Sequence, residues 1–110
     1  MAKKVIIIDD SPTQLNYLKA LFQNDSWEVF CVQNAKIAFE MFFVAAPDLI
    51  ITDAIMPYLG GFQLVKSIRE NDLISSIPTI VYSVLAESNA KYYLKESRNE
   101  YFLTKKDNYE

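Results

Sequence analysis

A chain of 110 residues has the size of one domain, and with 51% hydrophobic and 14% aromatic residues it can pack a core rather than stay disordered. Its net charge of −3 gives no general attraction to nucleic acid or to an anionic membrane, so direct binding to either is set aside. The absence of histidine removes Ser-His triads and most zinc sites, and the single Cys31 excludes an internal disulfide and suits a reducing cytoplasm.

Met1-Ala2-Lys3-Lys4 runs straight into the apolar Val5-Ile6-Ile7-Ile8. That run is too short for a signal-peptide core, and no stretch reaches the roughly 18 apolar residues of a membrane span, so a cytoplasmic location is expected. Val5 to Ile8 is β-branched throughout and apolar on both faces, as a buried parallel strand should be. Ser11-Pro12 reads as an N-cap followed by the first helical residue, with Leu15, Leu18 and Phe22 spaced along one helix face. A second strand is expected over 27–32. Asn34 then caps a helix carrying Ile37, Ala38, Met41 and Phe42, which Pro47-Asp48 stops. Leu49-Ile50-Ile51 forms a third strand leading to Asp53. Gly60-Gly61 open a turn, and Phe62, Leu64, Val65 and Ile68 follow at helical spacing. Pro78 precedes a fourth strand over 79–82; a helix over 86–97 and a fifth strand over 101–104 complete the pattern. This alternation is (βα)₄β and implies a parallel sheet covered by helices on both faces.

In such sheets the functional crevice lies beyond the carboxyl ends of the strands. There the first strand leads into Asp9-Asp10, the third into Asp53, the fourth into Ser83 and the fifth into Lys105. Taken singly, each has a plain reading: an Asp after a strand is often a turn former or helix cap, and a lysine near a terminus is usually a solvated charge. Those readings leave their gathering at one rim unexplained. Three crowded carboxylates repel one another unless a cation relieves them, and an all-oxygen site without His or Cys points to Mg²⁺ or another hard cation. Mg²⁺ held by carboxylates beside a lysine and a serine suits phosphoryl transfer.

These residues carry a resemblance. Val5-Ile6-Ile7-Ile8-Asp9-Asp10-Ser11, Asp48-Leu49-Ile50-Ile51-Thr52-Asp53, Met56-Pro57 with Gly61, Ile77-Pro78-Thr79-Ile80, Ser83 and Phe102-Leu103-Thr104-Lys105 together resemble the receiver domain of two-component response regulators, of the CheY-like superfamily. The likeness runs over nearly all of the chain. It implies an α/β fold, a doubly wound five-stranded parallel sheet of flavodoxin-like (βα)₅ type in the order 2-1-3-4-5, here lacking most or all of the fifth helix. It implies one receiver domain over 1–110, expected to be the N-terminal part of a longer protein. Asp53 resembles the phosphoacceptor, Asp10 the direct Mg²⁺ ligand and Asp9 an acid acting through water, with the Ile55 backbone carbonyl completing the protein's share of the shell. Lys105 resembles the lysine that contacts the phosphoryl group, Ser83 the hydroxyl that swings toward it, and Phe102 the rotating aromatic switch, though an ordinary core aromatic is an equal reading of Phe102. The implied role is a signalling phosphoacceptor, not an enzyme beyond its own phosphotransfer and slow dephosphorylation. Candidate partners are a histidine kinase or phosphotransfer protein, an output domain or partner protein outside this chain, and a second copy of the chain.

Three departures from the family pattern stand out. Lys106 replaces the proline that usually follows the lysine, so a trans Lys105-Lys106 bond is expected. Val84 stands where a small residue is usual, and its branches would narrow access to the phosphoryl group and slow its hydrolysis. The missing fifth helix would leave apolar sheet surface for another segment to cover, and Arg98-Asn99 replace the usual Gly-Ala. The alternative function is a phosphorylation-independent interaction module on the same fold, expected to lack an acid, the hydroxyl or the lysine, all of which this chain has. A Mg²⁺-dependent phosphohydrolase would need a further acid at position 55, which is Ile. Tyr92, Tyr93 and Leu94 are candidates for a partner-binding face near Phe102.

Overall fold

The computed structural model describes residues 2–23, 26–53, 60–83 and 100–104. Five strands, β1 (Lys4–Ile8), β2 (Glu28–Val32), β3 (Leu49–Asp53), β4 (Thr79–Ser83) and β5 (Glu100–Thr104), form one parallel sheet in the order β2-β1-β3-β4-β5. Three described helices, α1 (Pro12–Gln23), α2 (Ala35–Ala45) and α3 (Gly61–Arg69), alternate with the strands. This is the parallel sheet that the apolar runs imply, in the doubly wound flavodoxin-like order that the resemblance implies. The strands at 49–53 and 79–83 run on to include Asp53 and Ser83, one or two residues past the apolar runs that mark them. The helix expected over 86–97, the residues past Thr104, the Lys105-Lys106 bond, Val84, Arg98-Asn99 and Tyr92-Tyr93-Leu94 all lie outside the described residues.

β1 lies inside the sheet, between β2 and β3. Its residues Val5 to Ile8 are fully buried, and alternation sends them to opposite faces. Ile6 and Ile8 join Ala35, Ala38 and Phe42 of α2 and Leu64 and Ile68 of α3. Val5 and Ile7 join Leu15 and Leu18 of α1 with Ile51 and Tyr82. Each fully buried Ile or Val contributes roughly 1.5–3 kcal/mol of transfer free energy. A single polar substitution on β1 would therefore injure one of two cores.

Helix starts follow the sequence closely. Ser11 Oγ accepts the Gln14 N–H at 3.3 Å ahead of Pro12, and Asn34 Oδ1 accepts the Ile37 N–H at 2.9 Å. At α3 the Gln63 side chain accepts the Gly60 N–H at 3.0 Å, which is half of a capping box, since glycine has no side chain to return the bond. These caps set where each helix leaves the upper rim of the sheet. Among the described residues no helix is long and apolar enough to cross a membrane.

Candidate metal and phosphoacceptor site

β1 and β3 are neighbours in register, with Ile8 opposite Thr52. One step further along both strands stand Asp9 and Asp53, so the pairing itself brings two acids side by side. Asp10 follows at the turn into α1. One carboxylate oxygen from each of the three lies within 4.8 Å of the others, with Asp9 and Asp53 buried and Asp10 exposed. Asp53 keeps 9% of its surface open, against 1% for Asp9.

Each acid is held by local structure. The Asp9 N–H donates to Val32 O at 3.1 Å, carrying the β1–β2 ladder one residue past the strand, and its Oδ1 accepts the Ser11 N–H at 2.9 Å. Its carboxylate thus braces the entrance to α1 as well as facing the cluster. Thr52, fully buried, donates its hydroxyl to the carbonyl oxygen of Asp53 at 3.0 Å.

Two full charges at such a separation repel by about 1 kcal/mol in water and roughly 3 kcal/mol at the effective dielectric of a protein surface. Carboxylates gathered this closely favour a cation beside them. An oxygen-only donor set fits a hard divalent cation such as Mg²⁺ far better than a thiophilic metal.

The remaining sequence-derived residues divide by what the described chain covers. Ser83 ends β4 one residue after Tyr82, the register partner of Asp53, and its own partner is Thr104 on β5. Position 83 therefore belongs to the same rim. Phe102 of β5 is paired with Val81 of β4. Lys105 directly follows Thr104 but, like Ile55, lies outside the described residues.

Two features escaped the sequence reading. The Tyr82 hydroxyl oxygen lies 3.1 Å from Gln14 Nε2 and 3.4 Å from Gln14 Oε1, joining β4 to the first turn of α1 across 68 residues of sequence. Arg69, the last residue of α3, donates to Ser75 O at 2.6 Å, Ile77 O at 3.0 Å and Thr79 Oγ1 at 3.2 Å. The available hints were a lone tyrosine in the strand over 79–83 and a basic residue at a helix end.

The family model described as "Response regulator receiver domain" matches residues 5–110. Among curated relatives, Protein PilH of Pseudomonas aeruginosa is 28% identical over 102 residues, covering 93% of this chain and 84% of that protein. The sensor histidine kinase TmoS of Ectopseudomonas mendocina is 31% identical over 101 residues, covering 91% of this chain and 10% of the kinase. Among solved structures, the signal receiver domain of a signal transduction histidine kinase from Syntrophus aciditrophicus superposes with a TM-score of 0.86 at 28% identity, covering 97% of this chain and 81% of that one. The chemotaxis response regulator CheY4 of Vibrio cholerae superposes with a TM-score of 0.86 at 25% identity, covering 98% and 90%.

Proposed function

The chain belongs to the response regulator receiver domain family, and from that footing we propose that it is a Mg²⁺-dependent phosphoacceptor in which Asp53 takes a phosphoryl group from a histidine kinase or phosphotransfer protein. The acidic cluster is the observation that carries this reading: Asp9, Asp10 and Asp53 meet within 4.8 Å at the strand ends. Mg²⁺, when bound, supplies positive charge to the carboxylates and to the incoming phosphoryl oxygens. Asp10 and Asp53 would hold the ion directly, Asp9 would act through water, and the Ile55 backbone carbonyl would complete the protein's share.

The chain's own share of the work is positioning. A phosphohistidine is already a reactive donor, so the protein has to hold one Asp53 carboxylate oxygen in line with the phosphorus while the donor nitrogen leaves. The Thr52 hydroxyl bond to the Asp53 carbonyl, and the β1–β3 register beside it, hold the backbone that carries that carboxylate. Lys105 gives a point charge to the phosphoryl oxygens and the Ser83 hydroxyl donates to one of them. Ser83 and Phe102 are then the switch residues that carry the change to an output domain or partner outside this chain. The setting is cytoplasmic.

The test is incubation of the chain with acetyl phosphate and Mg²⁺, read by intact-protein mass spectrometry. One phosphoryl adduct is expected, lost in Asp53→Asn and on chelation of Mg²⁺. An adduct that survives Asp53→Asn, or none in the native chain, overturns the proposal.

A further inference from the structure

A run of hydrogen bonds leads from the acidic cluster to β4 through the first turn of α1. Asp9 Oδ1 accepts the Ser11 N–H at 2.9 Å, and Ser11 Oγ accepts the Gln14 N–H at 3.3 Å. The Gln14 carboxamide then meets the Tyr82 hydroxyl at 3.1 Å through Nε2, with Oε1 at 3.4 Å, so the bond can form with either group donating. Tyr82 is in register with Asp53 on the neighbouring strand and directly precedes Ser83. Its side chain is only 6% exposed and packs with Leu15 and Leu18 of α1.

We propose that Tyr82 is a positioning residue that couples cation binding at Asp9, Asp10 and Asp53 to the placement of the β4 end at Ser83, with Gln14 as the link. The inference rests on the phosphoacceptor reading of the site and adds a route within it. Physically, Asp9 does two jobs. Its carboxylate faces the cation cluster and also anchors the α1 entrance, so a cation that draws on Asp9 loads the same turn that holds Gln14. Burial fixes the Tyr82 ring among α1 side chains, leaving the hydroxyl as the polar contact through which a shift of that turn reaches β4. The ring alone would pack equally well as phenylalanine. What the hydroxyl adds is direction, because it ties β4 to one particular residue of α1.

Three variants test this: Tyr82→Phe, which keeps the ring; Gln14→Met, which keeps the helix former and its length; and the double variant. Titration with Mg²⁺ alone, followed by calorimetry, is expected to show affinity weakened about threefold to tenfold in each single variant, the equivalent of one net hydrogen bond. The double variant is expected to be no weaker than the singles, since both remove the same link. Residue-level hydrogen exchange gives a second reading that needs no phosphorylation. In the native chain Mg²⁺ is expected to slow exchange at the Ser11, Gln14 and Ser83 amides. In Tyr82→Phe the slowing is expected to persist at Ser11 and Gln14 and to disappear at Ser83. Additive losses in the double variant, or Ser83 slowing retained in both single variants, overturns the coupling while leaving the phosphoacceptor reading intact. A native chain that binds no Mg²⁺ overturns both.

Discussion

At the amino-terminal edge of the sheet, the Lys4 backbone N–H donates to Asp48 Oδ2 at 2.8 Å, Lys4 Nζ donates to Ala45 O at 3.1 Å, and Arg69 ties Ser75, Ile77 and Thr79 to the end of α3. At the carboxyl-terminal edge, three carboxylates face one another instead. Charged groups at the first edge are matched with acceptors and donors of the chain itself, whereas at the second, beside their own hydrogen bonds, three carboxylates are brought close to one another. The first edge holds the loops in place, and the second gathers acids that could hold a cation. The difference teaches that stability and function are parted along the strand direction in this domain, a separation that parallel α/β sheets allow because all strands end on the same side.

The largest effect is expected at the matched edge. Burial pushes the Arg69 guanidinium down from its ordinary value, so the three oxygen acceptors are what keep a charged fork tolerable there. Arg69→Ala removes three hydrogen bonds and loosens the segment between α3 and β4, and is expected to lower stability by about 2–3 kcal/mol. A fall in the urea midpoint without a change in slope is the expected signature. Arg69→Lys should recover part of the loss, because a point charge cannot span acceptors set out for a planar fork. An unchanged midpoint in Arg69→Ala would mean that buried Ile74 alone anchors the segment, and the contrast between the edges would weaken.

A smaller change of opposite sign is expected at the other edge. Asp10→Asn removes one exposed charge from the cluster at almost constant shape. Without metal and at low salt it is expected to raise stability by about 0.5–1 kcal/mol, an advantage that shrinks as salt screens Asp10 from the other two acids in the native chain. Adding Mg²⁺ should reverse the ranking, since the native chain gains stability from binding and the variant gains much less. Urea titrations with and without Mg²⁺ measure both effects. If Asp10→Asn destabilises the metal-free protein, the cluster is not under the strain its spacing implies.

How much of this was legible in the sequence depends on how local each feature is. The caps at Ser11 and Asn34, the β-branched run Val5 to Ile8 and the acids at the strand ends are encoded within a few residues, and the structure has them where the pattern puts them. The register that places Asp9 beside Asp53 was reached through strand order, which the family resemblance supplied and periodicity alone could not. The Arg69 clamp and the Gln14–Tyr82 bond were not legible. Each depends on which way a long or rigid side chain turns once the helices have docked, and no propensity encodes that. Ser83 and Phe102 stand at the expected strand positions, whereas Lys105 and Ile55 lie outside the described residues.

The smallest effect concerns a residue that the sequence reading passed over. α2 ends at Ala45, and Ala46 then takes φ 49° and ψ 63°, the left-handed conformation that usually falls to glycine at a helix end. Ala46 is exposed while Pro47 behind it is buried, so the chain must turn sharply there to bring Asp48 against Lys4. A Cβ in this region costs roughly 1 kcal/mol, which the Lys4 contacts to Asp48 and Ala45 offset. Ala46→Gly is therefore expected to stabilise the domain by no more than about 0.5 kcal/mol, because the greater freedom of glycine in the unfolded chain takes back much of the relieved strain. Thermal and urea unfolding should both report it, with Mg²⁺ affinity unchanged because the turn lies at the edge away from the acids. A destabilised Ala46→Gly would mean that the alanine is not strained at all, and that the amino-terminal edge is held by the turn's own preference rather than by the contacts around it.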